Sequence, residues 1–333
     1  VATTTTSTTN FDQTVVALVL RTILDNLRKR THWLEEGAWQ KARIIPGTNL
    51  LRYVSYGDLS SDLQGLTEGD NEATLALEEA LTIGYDQFAC TQYGRLVGIS
   101  DIALVENPHE LMSVAAERVA WNALETLDRS VGDTIMADSG LDSYPSTFTA
   151  RNQVTQASGS YMSAALVRAA VTELRAKNVP TFPDGYYHGI IHPYAAHDLM
   201  AEAATVTGAW IDVRRYGGPD AEDLLRGEVG RIHGVRFMES NQSTYLGTGG
   251  ASSANIFGTL IYGPDYFVFG DEQSTEAYVV RPGGDHYDPL AQKALVGWKG
   301  MWGAQVIIDN DADGTQGPRA VNLVSTTSFA QAG

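Results

Sequence analysis

His188, His192 and His197 are the residues whose types and spacing come nearest to metal chemistry. Zinc sites on a helix use His at i and i+4, so that two ring nitrogens converge from one face. Here the spacings are four and five residues, and Pro193 interrupts the run straight after His192. The segment from His188 reads as a strand, which points alternate side chains apart. Asp198 follows His197 but has no evident catalytic partner. The plainer reading is a strand-to-helix corner with polar rings at an interface. Asp309, Asp311, Asp313 and Gly314 match the first half of a calcium loop. The twelfth position of that loop is Ala320, where a bidentate Glu is needed. An Asp/Asn/Gly-rich turn accounts for the same residues.

Other chemistry finds less support. No phosphate-cradling G-x-x-x-x-G-K-[ST] occurs, and Gly247-Thr248-Gly249-Gly250 has neither the lysine nor a helix start. No G-x-S-x-G elbow is present. The single cysteine, Cys90, excludes an internal disulfide and reads as a small buried apolar residue. No carboxylate stands isolated in an apolar run, so none is expected to have a raised pKa. The six tryptophans read as core or interface anchors. The expectation is a chain that is not an enzyme, with no catalytic residue, no metal ligand and no cofactor.

Charge sharpens this. The 333 residues carry a formal net charge of −17. That disfavours a nucleic-acid-binding surface, which needs cations to displace counterions. An acidic wall does suit a container, because it does not adhere to enclosed DNA. The distribution is uneven. Residues 1–52 hold seven Lys+Arg against four Asp+Glu, whereas 53–90 hold eight acidic residues and no Lys or Arg. A mildly basic arm precedes an acidic segment, so the two could meet between neighbouring copies. No run approaches the length of a membrane span, and the apolar run Val15–Leu20 is too short for a signal core. The expectation is no anchor, no membrane partner and no secretion.

The elements that must position these residues follow from periodicity. Residues 1–10 are Thr, Ser and Ala-rich and read as a tail. Apolar positions from Val15 to Leu27 predict a helix within 11–33. Residues 41–84 read as a long two-stranded excursion with an acidic, glycine-punctuated tip. It has too few apolar residues to fold alone, so it must lie on something else. Asn107, Pro108 and Glu110 predict a helix start, and Leu111 to Ile135 recur every three or four residues until Ser139-Gly140. A second helix is expected over 161–177, and a strand over 188–191 leads into a helix opened by Pro193. A short helix is expected over 220–225. Strands are expected over 229–240, 256–269, 277–280, 305–308 and 321–324. Helices and strands mix without a βαβ rhythm, which predicts an α+β fold.

Several blocks together resemble one family. Leu66-Thr67-Glu68-Gly69, Gln92-Tyr93-Gly94-Arg95, Ile99-Ser100-Asp101 and Leu124-Glu125-Thr126-Leu127-Asp128 are similar to the N4-gp56 family of phage major capsid proteins. So are Ile191-His192-Pro193, the stretch from Gly227 to Arg236, Asp288-Pro289-Leu290 and Val296-Gly297-Trp298-Lys299. The resemblance runs from about residue 35 to 310. It implies an HK97-like capsid fold. In that frame 1–52 is the N-terminal arm, 53–90 the extended loop, and 91–179 the peripheral domain with its long spine helix. Residues 180–285 are then the axial domain, and 286–333 return to the peripheral domain.

The resemblance also implies a function. The chain would self-assemble as hexamers and pentamers into an icosahedral shell around phage double-stranded DNA, without sequence-specific binding. Portal, decoration and scaffolding proteins are the implied further partners; scaffolding would come from another protein or from a segment removed ahead of Val1. Localisation would be the virion capsid, assembled in the host bacterial cytoplasm. Some members join a flap lysine to an asparagine by an isopeptide bond. No Lys lies between Lys41 and Lys177, so a non-covalent shell is expected. Two other readings stand beside this one: an encapsulin-like protein nanocompartment, and a metallohydrolase using His188, His192 and His197.

Overall fold

A computed structural model describes residues 32–35, 37–56, 81–106, 111–145, 147–205, 211–212, 228–280, 290, 292–307 and 317–329. Its strands are β1 (Trp39–Lys41), β2 (Arg43–Ile44), β3 (Leu50–Tyr56), β4 (Ile83–Ala89), β5 (Thr91–Ser100), β6 (Asp142–Ser143), β7 (Tyr187–Ile191), β8 (Ile211–Asp212) and β9 (Glu228–Ile232). Then come β10 (Val235–Glu239), β11 (Tyr245–Gly247), β12 (Ile256–Tyr262), β13 (Phe267–Val280), β14 (Lys293–Val306) and β15 (Ala320–Ser325). The helices are α1 (Asp101–Glu106), α2 (Leu111–Ala137), α3 (Ala164–Ala176) and α4 (Pro193–Thr205). The expected α+β class holds.

The longest helix among the described residues, α2, carries 27 residues, so it spans about 40 Å. Its buried face begins with small residues, Ala115, Ala116, Val119, Ala120 and Ala123. These let the helix lie close on a four-stranded sheet of order β1-β13-β14-β5. The sheet answers with large residues, chiefly Val296, Trp298 and Trp302. Each indole also finds a helix partner. Trp298 Nε1 donates to Asn122 Oδ1 at 3.0 Å, and Trp302 Nε1 to Ser130 Oγ at 2.8 Å. The expected start of this helix, at Asn107, Pro108 and Glu110, lies outside the described residues. The short α1 just before it was not expected from the sequence.

The second sheet has eight strands, in the order β6-β15-β12-β7-β10-β9-β8 with β11 beside β12. Its central strands are covered on both faces: every residue of β7, β12 and β15 is buried. α3 and α4 contribute Val167, Val171, Leu174 and Leu199 to the core against it. α3 begins at Ala164 rather than Tyr161, because Ser163 caps it by accepting the Leu166 N–H at 3.4 Å. The stretch expected as one strand over 229–240 is a hairpin. His233 and Gly234 both have positive φ, 49° and 85°, which makes the two-residue turn that matches strand twist.

β13 and β14 hold 14 residues each, far longer than the short strands expected at 277–280 and 305–308. They pair from Phe267↔Val306 to Val280↔Leu295. The outer part of β13 is a polar run, Asp271 to Glu276, and β14 contains three glycines, so propensity hid both. Pairing with neighbours overrides it. The boundary expected between 285 and 286 therefore falls between two paired strands, and β15 pairs with β12 in the larger sheet.

The third sheet, β2-β3-β4, is the root of the expected flap. Its tip, 57–80, lies outside the described residues, as do the expected helices over 11–33 (up to 31) and 220–225, and the Asp309–Asp313 loop.

Candidate assembly surface and buried polar cluster

The flap root has two unlike faces. Pairing sets Tyr56 opposite Ile83, Val54 opposite Tyr85 and Arg52 opposite Gln87, so these six share one face. Ile83 is 58% exposed and Tyr85 64%. The guanidinium of Arg52 lies 4.9 Å from the Tyr85 ring centre. The other face holds Leu51 and Phe88, which pack with Ala42, Cys90, Val268 and Ile307. The flap is thus tied to the body at its root, while an aromatic and aliphatic stripe faces outward. Adjacent apolar residues left in water on a sheet face are the mark of an interaction surface. Leu81, just before β4, is also exposed.

The three histidines do not converge. His188, on β7, sets Nδ1 2.7 Å from Glu35 Oε1 and Nε2 3.0 Å from Asp184 Oδ2. Phe182 stacks on its ring at 4.0 Å. His192 caps the entry to α4. Its Nδ1 accepts the Tyr194 N–H at 3.1 Å, and its ring lies between Tyr194 and Phe257. Burial pulls its pKa down to about 4, so it is neutral at neutral pH. His197 is largely exposed and meets Phe329 edge-on. The strand-to-helix corner keeps the rings apart. Among the described residues no three His, Cys, Asp or Glu are grouped to hold a metal ion. Cys90 is buried, and burial, with the nearby Glu272 charge, pushes its thiol up. It is therefore a poor nucleophile.

Sequence reasoning missed a cluster of buried ionisable groups around His188. Arg236 donates to Asp184 Oδ2 at 2.7 Å, and Tyr262 donates its O–H to Glu35 Oε2 at 2.7 Å. Burial pulls the His188 pKa down, but hydrogen bonds and charge from Glu35 and Asp184 outweigh it, and the net shift is upward. Burial raises Asp184, yet bonds from His188, the Tyr186 N–H and Arg236 bring it below the usual carboxylate value.

Asp128 corrects the expectation that no carboxyl is strongly perturbed. It is 1% exposed on α2, and burial raises its pKa to about 6 against the pull of two backbone N–H donors. Those are His32 and Trp33, both 2.9 Å from Oδ1. The signal was present in the sequence: Asp128 stands four residues after Leu124 and three before Val131, on the apolar stripe. Trp33, whose two neighbours are charged or polar on one side and apolar on the other, gave no such signal.

Comparison with solved structures places this fold. The capsid of Ralstonia phage GP4 matches with a TM-score of 0.73 at 13% identity, over 92% of this chain and 93% of that one. The capsid of cyanophage P-SCSP1u matches with a TM-score of 0.61 at 16% identity, over 90% and 89%. The head of Helicobacter pylori bacteriophage KHP40 gives 0.57 at 12% identity, over 86% of each. No family model matches the chain. No curated protein matches it. The fold is the HK97-like fold of phage capsid proteins.

Proposed function

We propose that this chain is the major capsid protein of a tailed phage, building an icosahedral shell around double-stranded DNA. The observation that carries the reading is end-to-end agreement with a phage capsid fold, over more than nine-tenths of both chains. The outward stripe of Tyr56, Ile83 and Tyr85 supports it, because such a stripe needs a partner and a neighbouring copy supplies one. Repetition over a closed lattice makes modest contacts sufficient.

Within this reading α2 is the spine and the four-stranded sheet the peripheral domain. The eight-stranded sheet with α3 and α4 is the axial domain, around which hexamers and pentamers close. The flap over 53–90 overlaps a neighbour. The N4-gp56 family remains the family we infer, on the blocks quoted above. Portal, scaffolding and decoration proteins are the further partners, and assembly takes place in the host cytoplasm. The chain performs no catalysis. The shell is non-covalent, since residues 42–176 contain no lysine.

Extraction of cargo from purified particles tests the DNA assignment. Double-stranded DNA supports it; a packaged enzyme with no DNA would favour a nanocompartment. Denaturing electrophoresis of the same particles should give a single band of about 36 kDa, the mass of one chain. A ladder of multimers would contradict the non-covalent shell.

A further inference from the structure

Among the described residues, the face of the four-stranded sheet turned away from α2 is covered at one end only. Where β13 begins and β14 finishes, the chain's own flap root lies on it. Leu51 and Phe88 pack there with Ala42, Val268, Met301 and Ile307. Glycines on the sheet make room for them. A Cβ on Gly270 would come within 2.6 Å of the Leu51 side chain, and one on Gly303 within 3.2 Å of the Phe88 ring. The other end of this face has the same glycine-lined form without a cover. Pairing sets Tyr278, Gly297 and Leu96 in one row and Val280, Leu295 and Gly98 in the next. They alternate with Ala277, Val279, Val296, Trp298 and Val97, which pack towards α2, so they share the outer face. Leu96 is 59% exposed and Tyr278 44%.

We propose that this open end receives the flap of a second copy of the chain, with the Ile83 and Tyr85 stripe lying on Leu96, Leu295 and Tyr278. The proposal rests on the shell reading and names the surface that the overlapping flap meets. Shape, precedent and charge select this occupant. The glycines let Leu96 lean over Gly297 and Leu295 over Gly98, where a Cβ would meet them at 2.7 and 3.4 Å. The two leucines therefore lie low, and the ground between them and Tyr278 is apolar and shallow, which suits a second sheet packed face to face. The chain's own flap root already packs in this way on the adjoining end, so a neighbour's flap would continue an existing apolar layer.

Charge agrees. Residues 53–90 hold eight acidic residues and no Lys or Arg. The open end carries Lys293 and Lys299 on the same outer face of β14. One carboxylate stands beside them, that of Glu276, and its Oε2 accepts the Tyr278 O–H at 2.7 Å. An acidic flap over these lysines gains attraction and a fixed register. The stripe cannot reach this place within its own chain. Leu51 and Phe88 hold the flap root on the adjoining end, and the stripe is on the opposite face of that root. Only another chain can bring Ile83 or Tyr85 to Leu96.

Disulfide trapping in assembled particles tests this. In a Cys90→Ser background, full-length chains with Ile83→Cys or Tyr85→Cys are co-assembled with chains carrying Leu96→Cys and then oxidised. A disulfide forms only where the two Cα atoms come within about 7 Å. Nonreducing electrophoresis should give a band at twice the chain mass of 36.0 kDa, and mass spectrometry should find a peptide joining position 83 or 85 to position 96. Thr172→Cys, exposed on α3, should give no such link when it replaces Leu96→Cys. In a second measurement, Leu96→Glu should keep the native melting curve and cut particle yield about tenfold or more, because its carboxylate would be desolvated at every contact. Particles without the linked peptide, or native yield from Leu96→Glu, would overturn the docking and leave the shell reading standing. A native chain that forms no particles would end both.

Discussion

Asp128 shows how one residue can serve packing and oppose it. Its carboxyl caps two N–H groups that would otherwise be buried without an acceptor, but among the described residues no cation offsets its charge. Its pKa is raised from 3.8 to about 6. A raised folded-state value means a stabilising contribution that is complete below about pH 4 and lost as pH rises through about 6. Folding stability at neutral pH is therefore lower than in acid by roughly 3 kcal/mol on account of this group. Asp128→Asn keeps the acceptor oxygen and removes the charge. Thermal melts should show it gaining on the native protein as pH rises from about 5 to about 8. A variant that loses ground over that range would contradict the assignment. Asp128→Ala strands both donors and should cost about 2–3 kcal/mol at about pH 4, where the carboxyl is protonated in the folded protein.

The spine helix and its sheet set the next scale. Small residues on α2 face Trp298 and Trp302, stacked on each other with centroids 5.8 Å apart. Trp298→Ala removes an indole from a 3%-exposed position and its bond to Asn122. Denaturant unfolding should show a loss of about 3–5 kcal/mol. The helix was legible because its stripe runs for many turns, but Val114 of that stripe is exposed, and the packed face also carries Ala116, Ala120 and Ala123, whose small side chains stand out in no pattern. β12 was legible for a related reason, since an aromatic and β-branched run between turn residues has few other places to go. β13 was not, because its outer face is Glu272, Ser274 and Glu276, and a half-exposed strand with such a face resembles a loop. The hairpin at His233-Gly234 was hidden because nothing in a histidine announces positive φ. The polar cluster was least legible of all. Glu35 and His188 are 153 positions apart, and no local pattern joins them.

The whole molecule carries two kinds of surface. Its interior sheets are closed by helices and by each other, while the flap root leaves Ile83 and Tyr85 in water. Exposed positions can be changed with little effect on folding, so Ile83→Asp with Tyr85→Asp should alter subunit stability by less than about 1 kcal/mol. Both changes add acid to a segment that already lacks cations, and desolvating them beneath a neighbour is costly. Sedimentation should then find folded subunits that no longer form particles. Particle formation at native yield would show that this stripe is not an assembly contact. The most direct test of the shell assignment is electron cryomicroscopy of particles made by the native chain. The account predicts icosahedral shells in which each three-stranded flap root lies over an adjacent subunit with Ile83 and Tyr85 covered. A chain that remains a small oligomer under all conditions, or shells whose flap stripe stays in solvent, would contradict it.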